Sequence, residues 1–268
     1  MSAKIHPTAI IEDGASIGDD VSIGAFCHIG KDVKLGNESL LHSHVVLAGH
    51  TKIGARAKIF PFASIGHEPQ DLKFAGEAST LDVGDDCVIR EGVTMNPGTA
   101  GDINRTVVGN KCVFLTSSHV AHDCIVGDNT IFSNNVMLAG HCNIGSNVIL
   151  GGGAGIHQFC RIGNNAFVGG LAALENDVIP FGIALGNRAY LGGLNLIGMK
   201  RAGIDRQSIH NARNALKFLF SSNIPVMEAV DQLDEELAND PVVKQIADFI
   251  RQSGNRSLCI PKAKGMDS

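Results

Sequence analysis

Aliphatic residues recur at every sixth position along most of the chain. The first run starts at Ile5 and reaches Ile65, and all eleven of its positions are Ile or Leu. The pattern lapses, returns at Val83, lapses again, and resumes one residue out of phase at Val108, from where it continues to Leu174. Together these runs make 26 hexads, and 13 of them carry glycine directly after the aliphatic residue. A period of six is typical of hexapeptide repeats, which form a parallel β-helix.

The six-residue period predicts a triangular coil of three hexads. Each coil takes 18 residues, and successive coils are separated by one strand spacing of about 4.8 Å. We expect the aliphatic residue to point into the prism, and the glycine after it to form a corner with backbone angles that other residues resist. The repeats assign residues 1–185 to the β-helix, with loop insertions near residues 71–82 and 101–107.

The cysteines follow the same register. Six of the seven occupy the fifth position of their hexads, where other hexads carry small apolar residues. Cys124, Cys142 and Cys160 are spaced by 18 residues, which is one per coil. This pattern favours small buried apolar side chains in a reducing compartment over disulfides or a metal site.

Helical spacing replaces the hexads towards the C-terminus, and we assign residues 186–268 to an α-helical domain. Asp205 is placed to cap a helix that runs to about Phe220. A second helix is predicted over residues 226–237, and Asp240 before a proline is a typical start for a third. Helices at this end would cover the last open coil of the solenoid.

Composition narrows the range of functions. The apolar fraction of 44% argues against extensive disorder, and the net charge of −5 argues against a nucleic-acid binder that grips phosphate. The apolar run at residues 148–156 is far shorter than the roughly 20 residues of a membrane span. We therefore expect no transmembrane segment. The N-terminus has no signal-like apolar region, so we expect a cytoplasmic protein.

Four histidines cluster in the second run of hexads. His122, His141 and His157 fall at outward or corner positions of three consecutive coils, and His119 lies just before the same corner. Three interpretations are open: a polar outer surface, a zinc site with His119 and His122 as a His-x-x-His pair, or general base catalysis by one imidazole. Asp123 orients His122 only if the corner bends the chain, because adjacent strand residues point to opposite faces.

Several stretches together resemble one known family. They are FASIG and QDLK at residues 62–66 and 70–73, HVAHDC at 119–124, LAGH at 138–141, IHQF at 156–159, GN at 186–187 and KR at 200–201. With them the chain resembles, over essentially its full length, the bacterial UDP-N-acetylglucosamine O-acyltransferases, which act first in lipid A synthesis. The resemblance implies a left-handed coil and transfer of a 3-hydroxyacyl group from acyl carrier protein to the 3-position of the UDP-sugar. It also implies a homotrimer with sites in clefts between subunits, and no metal or cofactor, because the thioester donor is already activated.

The resemblance also assigns roles to individual residues. It implies that His122 is the general base, that Asp123 orients it, and that the backbone N–H of Gly140 stabilises the oxyanion. Gly170 matches the position that limits acyl length, and glycine there predicts a long 3-hydroxyacyl donor. The residues implied to bind the substrates are Asp71, Lys73, His119, His141, His157, Gln158, Asn195 and Arg201.

Some positions depart from the family pattern. Residues 96–99 read NPGT where many members have His-Arg before Gly-Thr, and Ile197 and Ala202 stand where an acid and a second arginine often occur. These departures leave room for a 3-amino sugar acceptor. A zinc-dependent β-helix enzyme of the carbonic anhydrase type and a non-catalytic binding β-helix are further alternatives. An acidic carrier protein would need a basic landing site, for which the candidates are Lys200, Arg201, Arg206, Arg213 and Lys217.

Overall fold

A computed structural model describes residues 3–221, 224–252 and 254–262. Short strands joined by tight turns occupy most of the chain, and five helices follow them. The strands are β1 (Lys4–Ile5), β2 (Ile10–Ile11), β3 (Ser16–Ile17), β4 (Ser22–Ile23), β5 (His28–Ile29), β6 (Lys34–Leu35), β7 (Leu40–Leu41), β8 (Val46–Leu47), β9 (His50–Ile53), β10 (Lys58–Ile59), β11 (Ser64–Ile65), β12 (Thr80–Val83), β13 (Val88–Ile89), β14 (Thr94–Met95), β15 (Arg105–Val108), β16 (Val113–Phe114), β17 (His119–Val120), β18 (Ile125–Val126), β19 (Ile131–Phe132), β20 (Met137–Leu138), β21 (Asn143–Ile144), β22 (Ile149–Leu150), β23 (Gly155–Ile156), β24 (Arg161–Ile162), β25 (Phe167–Val168), β26 (Ala173–Leu174), β27 (Gly182–Leu185) and β28 (Tyr190–Leu194). The helices are α1 (Leu196–Arg201), α2 (Arg206–Ser221), α3 (Val226–Asp231), α4 (Glu235–Asn239) and α5 (Pro241–Arg251).

Every third strand lies in the same sheet, so the chain winds around a three-sided prism. One sheet runs β1-β4-β7-β10-β13-β16-β19-β22-β25-β27-β28, a second runs β2-β5-β8-β11-β14-β17-β20-β23-β26, and a third runs β3-β6-β9-β12-β15-β18-β21-β24. Pairing is parallel throughout the coils, with Lys4 opposite Ser22, one coil of 18 residues later. The predicted parallel β-helix is confirmed.

Two insertions interrupt the coils. Ile53 lies opposite Val83, and Val83 lies opposite Val108, so these coils contain 30 and 25 residues instead of 18. The inserted chain forms loops at residues 66–79 and 96–104, because β12 and β15 each extend over four residues. Both loops therefore begin and end a few residues before the predicted insertions. The sequence pattern counted only the inward aliphatic residue of each returning hexad and missed the strand residues that precede it.

The interior of the prism is filled by two residues from each hexad. The aliphatic residue at the first position is buried in every coil after the first, and the fifth position is buried with it. Cys124, Cys142 and Cys160 lie in one interior column, and all seven cysteines are buried and free. Ile5, in the first coil, is 45% exposed because no coil precedes it.

Glycine after the aliphatic residue permits close stacking of the coils. A Cβ at Gly24 would lie 2.8 Å from the carbonyl carbon of His42, and a Cβ at Gly127 would lie 2.6 Å from the backbone nitrogen of Ser146. The left-handed backbone falls two residues later, as at Phe26 with φ of 59°. The expected reason for these glycines, unusual backbone angles, is therefore wrong. The corner is made by the fourth residue of the hexad, and glycine is needed because the next coil lies so close.

The helical end begins later than predicted, because the sheet continues past residue 185. β27 pairs with β28 in antiparallel fashion, and α1 starts only after Asn195. Asp205 accepts a hydrogen bond from the backbone of Ser208 at the start of α2, as predicted. The single helix predicted over residues 226–237 is wrong, because Asp234 caps a separate helix by accepting from the backbone of Leu237.

Side chains of the helices continue the apolar core of the last coils. Met199 in α1 and Val243 in α5 are fully buried, and Phe249 packs its ring against the guanidinium of Arg161 from β24. The helices thus lie against the coil end of the prism, as the sequence predicted. Among the described residues, no helix combines the length and apolar character that crossing a bilayer requires.

Candidate active site

His122 and Asp123 occupy the corner between β17 and β18. Asp123 adopts a left-handed backbone with φ of 56°, which turns its side chain back towards its neighbour. Nδ1 of His122 lies 2.9 Å from Oδ2 of Asp123. The corner therefore bends the chain as the orienting role requires. Both residues are buried, with 5% and 3% of their surfaces exposed.

The carboxylate of Asp123 is also held by the second loop. The backbone N–H of Thr99 lies 3.1 Å from both carboxylate oxygens, and its hydroxyl donates to Oδ2 at 2.6 Å. A carboxylate with these donors only accepts, so the proton shared with His122 belongs to Nδ1 of the ring. In the neutral ring, Nε2 of His122 then carries the lone pair. Thr99 belongs to the NPGT stretch, and the sequence alone did not indicate this contact with Asp123.

Gly140, one coil above, packs directly on the His122 ring. A Cβ at this position would lie 2.6 Å from Cε1 and 2.7 Å from Nε2 of His122. The backbone N–H of Gly140 has no hydrogen-bond acceptor among residues 3–221. The structure thus brings a free N–H donor and the unprotonated nitrogen of His122 to the same corner.

His141 belongs to the same cluster of rings. Its imidazole meets His122 edge-on with centroids 4.8 Å apart, and stacks on Phe159 at 4.4 Å with an interplanar angle of 4°. Its Nδ1 donates to Oδ2 of Asp102 at 2.6 Å. Asp102 lies in the second loop and was not singled out from the sequence.

His119 lies on the strand that leads into the corner. Its Nδ1 shares a hydrogen bond of 2.7 Å with the hydroxyl of Thr94. Burial lowers the pKa of His119 below the usual histidine value, and the nearby His122 lowers it further. His119 is thus held neutral near pH 7, as a polar wall of the site.

These residues surround a cavity of about 540 Å³ on the second sheet. His119, His122, Gly140, His157 and Gln158 all line it. The floor of the cavity is apolar, and its lining also includes Gln70 from the first loop and Glu175 from the coil above. The remaining lining residues are Ala121, Met137, Leu138, Ala139, Gly155, Ile156, Ala173 and Leu174.

Other predicted site residues lie elsewhere on the chain. Asp71 and Lys73 belong to the first loop and do not line the cavity, although Gln70 beside them does. Asn195 and Arg201 line a separate cavity of about 710 Å³ on the face of the first sheet. Gly170 is an exposed corner residue, and a Cβ there would lie 3.3 Å from the backbone oxygen of Gly152.

The cavity on the first sheet also contains the two residues that depart from the family pattern. Ile197 and Ala202 line it together with the outward side chains of Ile131, Ile149 and Phe167. Asn195 is fixed there, because its amide donates to the backbone of the neighbouring coil and its oxygen caps α1. One chain alone does not bring this cavity and the histidine cavity together.

The arrangement does not match the predicted zinc site. Among the described residues, the one cluster of close donor atoms is His122, Asp123 and His141, with ligand atoms within 4.8 Å of one another. His119 is outside it, so the His-x-x-His pair is not formed. Asp123 already accepts from His122 and Thr99, and Nδ1 of His141 donates to Asp102. The carboxylate of Asp123 and the Nδ1 atoms of His122 and His141 are thus committed to hydrogen bonds within the protein.

Comparisons with known proteins agree with the fold and the sequence motifs. Residues 14–49 and 105–140 match the bacterial transferase hexapeptide family, and residues 177–259 match the family described as UDP-N-acetylglucosamine O-acyltransferase, domain 2. The chain is 70% identical over 258 residues to the acyl-(acyl-carrier-protein):UDP-N-acetylglucosamine O-acyltransferase of Methylobacterium radiotolerans, covering 96% of this chain and 95% of the relative. It is 52% identical to the enzyme of the same name from Rhizobium etli, covering 97% and 96%.

Solved structures lead to the same family. The UDP-N-acetylglucosamine O-acyltransferase of Moraxella catarrhalis superposes with a TM-score of 0.91 at 42% identity, over 95% of this chain and 99% of that one. The Arabidopsis UDP-N-acetylglucosamine acyltransferase gives 0.85 at 34% identity, over 95% and 99%. The prism and its histidine corner thus define a hexapeptide-repeat transferase with a left-handed β-helix and C-terminal helices. More specifically, the chain belongs to the UDP-N-acetylglucosamine O-acyltransferase family.

Proposed function

We propose that this protein transfers a 3-hydroxyacyl group from acyl carrier protein to the 3-hydroxyl of UDP-N-acetylglucosamine, the first step of lipid A biosynthesis. The observation that supports it best is the arrangement of Thr99, Asp123, His122 and Gly140. It combines an oriented base, with its free nitrogen exposed to a cavity, and an unpartnered N–H beside it. Acyl transfer to a hydroxyl needs these two groups.

In the proposed mechanism, Nε2 of His122 removes the proton from the acceptor hydroxyl as its oxygen attacks the thioester carbonyl. Asp123 stabilises the resulting imidazolium through Nδ1. The negative charge that develops on the carbonyl oxygen is stabilised by the N–H of Gly140, a contribution of about 3 kcal/mol in comparable sites. The tetrahedral intermediate then expels the carrier thiolate, which takes the proton from His122. One carbon–oxygen bond forms, one carbon–sulfur bond breaks, and no net proton is gained or lost by the protein.

The active site of the proposed enzyme combines two copies of the chain. Asn195 and Arg201 line the cavity on the first sheet, whereas His122 faces the cavity on the second. Around a threefold axis, different faces of neighbouring prisms come together. A homotrimer therefore explains how Asn195 and Arg201 of one subunit meet the catalytic corner of another. Asp71 and Lys73 in the first loop, and His141, His157 and Gln158 along the cavity, complete the proposed contacts with the substrates.

The donor is proposed to dock on the helical end. Lys200, Arg206, His210 and Arg213 surround one shallow depression, and Arg213 borders a second, mainly apolar one with Lys217. Acyl carrier proteins are acidic, and a basic rim around an apolar groove complements them in charge.

Because the carrier protein and the nucleotide sugar are cytoplasmic substrates, we also propose a cytoplasmic location.

The acyl chain is proposed to be long. Gly170 lies on an outward corner near the upper end of the coils, and its lack of a side chain leaves that surface open.

Among the described residues, the lining of the cavity on the first sheet has one charged side chain, Arg201, because Ile197 and Ala202 are apolar. We therefore expect Arg201 to contribute most of the electrostatic binding of the nucleotide phosphates.

The proposal is tested by acyl transfer from 3-hydroxyacyl carrier protein to UDP-N-acetylglucosamine. Wild type, His122→Ala and the control His28→Ala are compared, because His28 is a half-exposed histidine in the second coil that pairs with Glu12. We expect loss of activity by about three orders of magnitude in His122→Ala alone. Full activity of His122→Ala would remove the assigned base. Transfer only to a 3-amino sugar would contradict the proposed acceptor, and absence of any transfer by the wild type would contradict the proposed reaction.

A further inference from the structure

The C-terminal segment contacts two lining residues of the histidine cavity through the side chain of Arg256. Nε of Arg256 donates to the backbone oxygen of Gln158 at 2.9 Å, and Nη2 donates to Nδ1 of His157. Arg161, Arg188 and other arginines pair with carboxylates, but Arg256 has no carboxylate within 4.0 Å among the described residues. Burial raises the pKa of the nearby Asp177, and the charge of Arg256 opposes that rise, while the hydrogen bonds of Arg256 go to His157 and Gln158 of the proposed active site.

Arg256 is held in place by the backbone that directly follows it. The N–H of Asp177 donates to the oxygen of Ser257 at 2.8 Å, and the N–H of Cys259 donates back to the oxygen of Asp177 at 2.7 Å. The side chain of Cys259 is fully buried. The segment is thus fixed to the last coil like an added strand, and Arg256 projects from an anchored backbone.

The contact determines which nitrogen of His157 carries a proton. A guanidinium has five N–H donors and no acceptor, so Nδ1 of His157 must accept. An imidazolium has no lone pair at either nitrogen, so the ring is neutral while the contact is made. The single ring proton is then on Nε2. The backbone oxygen of Gln158, at 3.4 Å from Nδ1, is a distant alternative partner and already accepts from Arg256.

His157 therefore has the opposite tautomer from His122. His122 offers a lone pair at Nε2 because its proton stays on Nδ1, which donates to Asp123, whereas His157 offers an N–H donor at Nε2 because Nδ1 accepts from Arg256. Both rings line the same cavity. A donor at His157 complements an acceptor oxygen of the bound substrates, such as a carbonyl or a hydroxyl.

We propose that Arg256 is a positioning residue that fixes the tautomer of His157, with the proton on Nε2, as a hydrogen-bond donor to the substrates. The expected effect of Arg256 on the rate rests on the proposed acyl transfer. The tautomer of His157 does not, because it is a property of the protein without substrate.

Two measurements test this role, one of them independent of activity. Long-range proton–nitrogen correlation spectra of the full-length protein, labelled with ¹⁵N-histidine and assigned with His157→Gln, report the protonated nitrogen of His157. We expect a protonated Nε2 in wild type and in Arg256→Lys, and a mixture of tautomers in Arg256→Met. Protection of the Cys259 thiol from a thiol reagent confirms that the segment is still docked in each variant.

The second measurement is a double-mutant cycle on the rate. We expect kcat/KM to fall about tenfold in Arg256→Met, which corresponds to loss of one hydrogen bond, and to recover in Arg256→Lys. Arg251→Met, which removes a guanidinium paired with Asp231 on the helices, is the control and should keep the wild-type rate. In a His157→Gln background, Arg256→Met should not lower kcat/KM any further.

The outcomes separate the two proposals. A protonated Nδ1 at His157 in the wild type would overturn the role of Arg256, and so would additive losses in the cycle. If the wild type transfers no acyl group, the proposed function fails while the spectra still decide the tautomer. If the wild type is active and Arg256→Met keeps both its rate and its spectrum, only the role of Arg256 is refuted.

Discussion

Replacement of Gly140 by alanine tests whether the contact with His122 sets the catalytic geometry. The added Cβ would lie 2.6 Å from Cε1 of His122, whereas carbon atoms normally approach to about 3.5–4.0 Å. The ring of His122 must therefore retreat by about 1 Å. The backbone tolerates the change, because Gly140 does not have a positive φ and Ala25 and Ala55 occupy the same hexad position.

The displacement should affect the rate far more than the fold. A shift of about 1 Å in a catalytic group can cost about 100-fold in rate, which corresponds to about 2.7 kcal/mol in the activation barrier. Overpacking at one buried site costs about 1–3 kcal/mol of folding stability, or a few degrees in Tm. We therefore expect a folded Gly140→Ala protein whose kcat falls about 100-fold and whose KM for the UDP-sugar changes little.

The assay is steady-state acyl transfer, with circular dichroism and thermal unfolding on the same samples. Gly152→Ala is the matched control, because Gly152 has the same hexad position on another corner and its Cβ would meet nothing closer than 3.4 Å. It should keep kcat and Tm near the wild-type values. A wild-type kcat in Gly140→Ala, or equal losses in both variants, would refute the reasoning from the His122 contact.

Four further predictions follow from the same structure. Asp123→Asn should lower kcat about 1,000-fold, because the tautomer of the base is no longer fixed; steady-state kinetics and Tm together check it. Burial lowers the pKa of His119 in the folded protein. Below about pH 6.5 the unfolded chain therefore takes up a proton that the folded chain does not, and the free energy of unfolding decreases as the pH is lowered. His119→Gln should therefore lose less stability than wild type between about pH 7.5 and 5.5 in urea titrations. Gly170→Met should shift the preference towards shorter donors by about tenfold, measured as a ratio of kcat/KM values. Charge reversal of Lys200 and Arg213 to Glu should raise KM for the carrier-bound donor about tenfold and leave KM for a pantetheine thioester unchanged.

The fold could be predicted because a solenoid repeats one local rule. Each hexad faces the same neighbours, so the phase of its aliphatic residue determines strand, corner and core together. The helix predicted over residues 226–237 failed where no repeat applies: α3 ends at Asp231 and Asp234 caps the next helix, and apolar spacing alone does not distinguish a break from a continuation. The role of the glycines was misjudged for a related reason. Spacing along the chain does not show how closely the next coil approaches Gly24 or Gly127.

The site was only partly accessible from the sequence. Multiples of 18 residues relate positions in adjacent coils, which is why the histidine corner could be found. Thr99 meets Asp123 across 24 residues, Asp102 meets His141 across 39, and Arg256 meets His157 across 99. None of these intervals is a multiple of the coil length, because each partner comes from an insertion or from the C-terminal segment. The roles that the family resemblance gives to the remaining site residues stay predictions.

Repeats and irregular segments thus contribute different things to the site. The coils space the imidazoles of His122, His141 and His157 along one side of the prism, but identical coils would give each ring the same hydrogen-bond partners and hence no distinction between the rings. The irregular segments supply part of that distinction: Asp102 of the second loop pairs with Nδ1 of His141, and Arg256 of the C-terminal segment pairs with Nδ1 of His157. The partner of His122, Asp123, belongs to the coil itself. A carboxylate at Nδ1 leaves a lone pair at Nε2 and suits a base, whereas a guanidinium leaves an N–H and suits a donor. A β-helix without its second insertion and C-terminal segment would keep the row of rings and the His122–Asp123 pair, but His141 and His157 would lose their partners at Nδ1.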